Sequence, residues 1–209
     1  MYIPQHFMET RPSELHRLIA DHPLGILVTQ SSGLLDADHI PFELDTTVGE
    51  KGLIRAHVAR ANPLWTHADG EEVLVIFRGN EAYISPNWYP SKHELHRQVP
   101  TWNYQVVHVR GKLTVRDDER FVRGLVGRLT KVHEASEERP WRMADSSKEF
   151  IAQMLAAIVG VEIEITEIVG KWKLSQNKES RDVLSAADKL ETLGGDELAS
   201  AMVNVLRNS

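Results

Sequence analysis

Between Gly25 and Val115 the chain lays down one strand-like segment after another, with almost no helix between them. The segments are Gly25 to Gln30, Ala37 to Leu44, Leu53 to Ala59, Glu72 to Phe77, Ala82 to Ser85, and Tyr104 to Val115 with a break near Gly111. Clusters such as Ser31-Ser32-Gly33 and Gly49-Glu50-Lys51-Gly52 separate them as tight turns. Parallel neighbours need a crossover of about a dozen residues, most often a helix, and only the brief Asn62 to Ala68 segment interrupts the series. The pattern predicts an antiparallel sheet, closed or partly closed into a barrel, and disfavours a doubly wound parallel fold.

Helices flank this series. Thr10 to Asp21 reads as a short one, with Pro12 in its first turn and Leu15, Leu18 and Ile19 as its apolar stripe. In the second half Asp118 is a cap for a helix to about Thr130, carrying Phe121, Val122, Leu125, Val126 and Leu129. Ser146 and Glu149 have capping-box spacing ahead of Phe150, Ile151, Met154, Leu155 and Ile158. Val161 to Ile168 returns to strict alternation and reads as a half-exposed strand. Two tail helices follow, Asp182 to Leu193 and Asp196 to Arg207. The class is α+β, mainly β with packed helices; residues 1–177 are expected to form the barrel domain and 178–209 a helical extension.

Composition removes several functions. The chain has no cysteine, which rules out disulfides, thiolate metal sites, iron–sulfur clusters and a cysteine nucleophile together. The longest apolar run, Ile151 to Val161, falls well short of the roughly 20 residues that span a bilayer, and MYIPQHFMETRPSEL lacks a secretory pattern. A cytoplasmic protein without a membrane partner is therefore expected. The net charge of −6 is the wrong sign for a surface devoted to phosphate backbones, so DNA contact needs a local patch. Arg120, Arg123, Arg128 and Lys131 on one helix are the candidates, interrupted by Asp117, Asp118, Glu119 and Glu134. His93 and His96 stand three apart, but no HExxH pattern or well-spaced carboxylate accompanies them, and a metal is not expected. No nucleophile elbow, phosphate-binding P-loop or Rossmann glycine fingerprint is present.

What remains is a set of ligand-friendly segments. In LIRAHVARANPLW, residues 53–65, a strand ends in Arg60 and Asn62 with Pro63 opening a helix, and His57 lies with Arg55 on the polar alternate of that strand. A guanidinium fork, an amide and free helix-start N–H groups suit a phosphate. HIPF, His39 to Phe42, sets a proline inside a strand, which belongs at an edge or a bulge. Either a plain edge or the edge of a planar ligand accounts for it. AYISPNWY and PTWNY gather Tyr83, Trp88, Tyr89, Trp102 and Tyr104, a combination found in ring-binding pockets, interfaces and cores alike. KWKLSQNK, after the strand Val161 to Ile168, is dense in donors: Lys173, Ser175, Gln176, Asn177 and Lys178.

Taken in order, MYIPQHF, HIPF, RAHVARANPLW, AYISPNWY, VPTWNYQVVHV and KWKLSQNK resemble the motif series of the PaiB family of FMN-binding negative transcriptional regulators. The resemblance spans nearly the whole chain up to Asn177; the tail helices carry no matching motif. It implies a flavin split barrel built as a homodimer, with FMN at the subunit interface. It also implies that Asp38 and His39, Ile40, Pro41 and Phe42 lie along the isoalloxazine, and that His57, Arg60 and Asn62 lie near the phosphate. Trp102, Asn103, Lys173, Gln176 and Asn177 would complete the site, some from the second subunit. By this resemblance the protein is a repressor with a DNA or regulatory-protein partner. A flavin-dependent oxidoreductase is the alternative, and haem binding a more distant one.

Overall fold

The structure is a computed structural model describing residues 1–207. In chain order the elements are β1 (Met8–Glu9), α1 (Pro12–Asp21), β2 (Leu24–Ser31), β3 (Leu34–Pro41), β4 (Glu43–Asp45), β5 (Leu53–Ala59), α2 (Leu64–His67), β6 (Glu72–Ile84) and α3 (Pro90–Leu95). There follow β7 (Thr101–Arg116), α4 (Glu119–His133), α5 (Lys148–Ala156), β8 (Ile158–Lys173), α6 (Ser180–Glu191) and α7 (Asp196–Arg207). The strands hydrogen-bond in the order β3-β2-β6-β7-β8-β5-β4, with β1 added to β8. The registered pairs are antiparallel, as the turn-rich series predicts.

Several boundaries differ from the sequence reading, each for a physical reason. The segment 37–44 is two strands rather than one: β3 ends at Pro41, and Phe42 N donates instead to Pro23 O at 2.8 Å. Glu72 to Ile84 is one strand, and β7 passes through Gly111 without a break. Gly111 marks a close approach of two backbones: a methyl group there would strike the Glu164 carbonyl oxygen and come within 2.7 Å of Ile163 Cγ2. Strand β8 runs from Ile158 to Lys173, so Lys171 and Lys173 of KWKLSQNK lie in the strand and not in a turn after it. The cap of α5 is Ser147, whose hydroxyl accepts from Phe150 N, and not Ser146. Asp118 caps α4 as expected, accepting from Phe121 N at 2.7 Å.

The chain forms two compact units. The central unit comprises residues 22–77 and 108–168; the terminal unit comprises residues 1–21, 78–107 and the chain from Val169 onward. In the central unit the core faces of the strands bury Leu27, Ile54, Ala56, Val75, Phe77, Val161 and Ile163. Phe42 meets Phe77 edge to face at 5.7 Å, and a methyl on Gly25 would come within 2.9 Å of Phe77 and Val75. Helices α4 and α5 pack through Val122, Ile151 and Leu155, with Phe121, Val126, Met143 and Ile158 around them. In the terminal unit Ile19, Ile84, Tyr89, Leu174, Val183, Ala186 and Met202 are fully buried, and α6 and α7 contribute to this core.

Candidate functional site

The site residues read from the sequence fall into two sets, one in each unit. In the central unit β3 is an edge strand, and its alternation sorts the HIPF motif by face. Ile40 is buried with the core, while His39 and Pro41 are exposed on the opposite side. Register pairs Leu24 with Pro41, Ile26 with His39, Val28 with Ala37 and Gln30 with Leu35, and extends Ile26 to Ile76 and Val28 to Leu74 on β6. His39 and Pro41 therefore belong to a largely apolar sheet face on which Leu24 is 60% and Leu35 73% exposed.

Asn62 ties this strand to the turn after β5. Its amide nitrogen donates to Asp38 Oδ1 at 2.7 Å, while its Oδ1 accepts from Leu64 N at 2.9 Å and caps the start of α2. The two motifs HIPF and RANP are thus joined by one side chain. His57 is half-buried, on the same face of β5 as Arg55 and opposite Gly160. Among the described residues its Nδ1 is buried without a hydrogen-bond partner, and burial holds its pKa below the usual histidine value of 6.5. Arg60 is differently placed from a free phosphate ligand. Its guanidinium grips Asp117 with both terminal nitrogens, at 2.6 and 2.9 Å, and donates to the carbonyls of Ala156 and Ile158. An anion reaching Arg60 competes with Asp117.

A cleft of about 580 Å³ lies on the Arg55 side of β5, lined by Asp45, Arg55, Arg116, Arg120, Phe121 and Glu162 among others. Its charges are largely cross-paired. Arg55 joins Asp45 at 2.8 Å and Glu162 at 3.0 Å, Arg116 joins Glu162, and Arg128 joins Glu43. The Thr47 and Arg55 hydrogen bonds pull the Asp45 pKa down to about 2. The Arg128–Glu43 pair fastens α4 to β4, and two of the basic residues of that helix are engaged: Arg123 with Glu119 within the helix and Arg128 with Glu43.

In the terminal unit Trp102 is 54% exposed and meets Tyr83 edge to face. Lys173 donates to Thr101 Oγ1 and to Trp102 O, and burial, with the charges of Lys171 and Lys178, lowers its pKa from 10.5. Asn103 is fully buried and donates to Ser175 Oγ at 2.9 Å, and the Tyr89 hydroxyl lies 3.3 Å from the same oxygen. Gln176 spends its amide on Trp172 O and Leu174 N. Asn177 is exposed and has no partner among the described residues. Tyr89 and Ser175 organise this set, although the sequence marks Tyr89 only as one aromatic among five and Ser175 only as one donor in a row.

Residues 1–167 match the family described as "Putative FMN-binding domain". The chain is 33% identical over 192 residues to "Protease synthase and sporulation protein PAI 2" of Bacillus subtilis, covering 91% of this chain and 89% of the relative. It is 30% identical over 243 residues to an uncharacterized protein of Emericella nidulans, covering 99% and 96%. Two solved structures share the fold: the flavocytochrome Anf3 of Azotobacter vinelandii, and an FAD and haem binding protein of Mycobacterium smegmatis. The first has TM-score 0.60 and 12% identity and covers 82% of this chain and 72% of its own; the second has 0.61 and 16%, covering 86% and 79%. With its antiparallel eight-stranded sheet and packed helices, the chain belongs to the PaiB family of flavin split-barrel proteins, and its cofactor is FMN.

Proposed function

We propose that the protein is an FMN-responsive regulator that works as a cytoplasmic homodimer, with flavin at the subunit interface and a DNA or regulatory-protein partner. The observation that carries this reading is the uncovered apolar face of β2, β3 and β6, with His39 and Pro41 on it. An exposed apolar patch of this kind suits a partner surface, and a planar ring lying along Pro41 and the β3 edge is covered by a second copy. The residues fit the cofactor. Among the described residues His57 has a buried ring nitrogen without a partner, and Asn177 has an unused amide. Arg60 is a phosphate donor on release of Asp117. Trp102 and Lys173 add an aromatic surface and a cation, while Ile40, Phe42, Asn62, Asn103 and Gln176 hold the contacting groups in place. When bound, FMN supplies the redox chemistry and the protein its orientation and electrostatics. The regulatory part of the proposal draws on the sporulation protein named above.

The pairing of Arg123 and Arg128 with acids leaves Arg120 and Lys131 as the cations of α4 without a partner among the described residues, which thins the DNA-facing surface. That favours a second reading, a flavin-dependent oxidoreductase; haem binding through a histidine is a third. FMN titration followed by fluorescence quenching, with the oligomeric state measured alongside, tests the common part. A folded protein that leaves micromolar FMN unquenched refutes it. NAD(P)H oxidation by the loaded protein selects the enzyme. DNA retention that changes with FMN at fixed salt selects the regulator, and a Soret band on haem titration selects the third reading.

A further inference from the structure

The turn Ser175 to Lys178 is held at both ends by polar side chains, buried at the Ser175 end and half-buried at the Lys178 end. Ser175 has φ +69°, and of the three non-glycine residues with positive φ among the described ones, Ser32, His96 and Ser175, it alone is buried. A left-handed serine persists where its surroundings over-determine it, and such residues cluster at ligand clamps. Here the surroundings are the Asn103 amide at 2.9 Å and the Tyr89 hydroxyl at 3.3 Å, both on residues with no exposed surface. At the other end Lys178 N donates to Ser175 O at 2.9 Å and closes the turn, while Lys178 Nζ donates to Gln98 Oε1 at 2.6 Å above the Tyr89 ring. Gln98 in turn donates to Ser91 Oγ, and Ser91 donates to the buried carboxylate of Asp182. Gln176 folds back onto Trp172 O and Leu174 N. Among the described residues every side chain of the turn is committed except that of Asn177, which is exposed.

We infer that this turn is a preformed clamp presenting Asn177 to the pyrimidine edge of the flavin, with Ser175, Tyr89 and Asn103 as positioning residues. The inference rests on the flavin reading above. An amide offers one donor and one acceptor side by side, the complement of a ring N–H next to a carbonyl. Freezing the turn before the ligand arrives removes the ordering cost that a mobile loop incurs on binding. Glycine takes a positive φ without strain, so Ser175→Gly removes the hydroxyl tether alone.

FMN titration of the full chain is the test, read by fluorescence quenching and by the shape of the bound-flavin absorbance band. Asn177→Ala is expected to weaken binding by about tenfold, the equivalent of one lost hydrogen bond, with an unchanged melting temperature. Ser175→Gly is expected to weaken it comparably. The double variant should bind no more weakly than the weaker single variant, because Ser175 acts only through Asn177. Tyr89→Phe, which keeps the ring under Lys178, should show the same direction and secures the test against a poorly folding glycine variant. Wild-type affinity in Asn177→Ala, wild-type affinity in both positioning variants, or additive losses in the double variant would each overturn the inference and leave the flavin reading standing. Wild-type protein that fails to quench FMN removes both.

Discussion

Replacing Asn62 by Asp puts the hydrogen bond between HIPF and RANP under a test that changes no shape. The new side chain keeps an oxygen for Leu64 N, but the amide that donates to Asp38 Oδ1 at 2.7 Å becomes a second carboxylate. The charge-assisted bond that is lost contributes about 1.5 kcal/mol at a half-buried position. Two unit charges that relax to about 5 Å repel by about 3 kcal/mol at an effective dielectric of about 20, roughly halved by solvent at this exposure. Together they amount to about 3 kcal/mol. For a domain of this size that lowers the melting temperature by about 6 to 12 °C. Differential scanning fluorimetry at pH 7.5 reads the shift, and 1 M salt should recover the Coulombic part. The double variant Asp38→Asn with Asn62→Asp reverses donor and acceptor, and is expected to return the melting temperature to within about 2 °C of wild type. A single variant as stable as wild type, or a double variant no better than the single, would refute the coupling. Because the same pair joins the two motifs assigned to the flavin, FMN affinity should fall and recover with stability.

The buried His57 makes stability pH-dependent. Its folded pKa is below the unfolded value of 6.5, so the unfolded chain binds the proton first, and stability is lost as pH falls from about 6.5 through the folded value. His57→Gln should flatten that part of the melting curve against pH, and an unchanged profile assigns the acid sensitivity elsewhere, with His108, also depressed by burial, next in line. Arg60→Ala should weaken FMN binding, and Asp117→Asn, which frees the guanidinium, should tighten it by about two- to tenfold. If neither titration moves, Arg60 serves only to tie α5 to Asp117. Gly111→Ala should abolish soluble expression or lower the melting temperature by more than about 10 °C, since its methyl would part β7 from β8. A normally stable variant would show that the two strands slide apart at little cost.

The antiparallel class was legible because it depends on local information. Turn residues at short intervals leave no room for crossovers, and alternation in Leu53 to Ala59 assigned Ile54, Ala56 and Val58 to the core, where they are. Asp118 as the cap of α4 and the stripe of α1 were equally local. The break expected in β7 shows what local information leaves out. A glycine in a strand reads as a break, yet Gly111 is there to let another backbone close in, and the other backbone lies more than fifty residues away in the chain.

The candidate site divides along the same line. Residue types and their order were enough to assign the family and a flavin, because donors, prolines and aromatics keep their chemistry whatever surrounds them. Their roles depend on partners remote in sequence. Arg60 and Asp117, Asn62 and Asp38, and Asn103 and Ser175 are separated by 57, 24 and 72 residues. No spacing rule links such pairs, so only the tertiary structure decides that Arg60 is already engaged, that Asn103 is sealed in the core and that Asn177 is without a partner among the described residues. The sequence by itself determined which chemistry the chain carries. The packing of distant segments decided which of those groups still has a hydrogen bond to give.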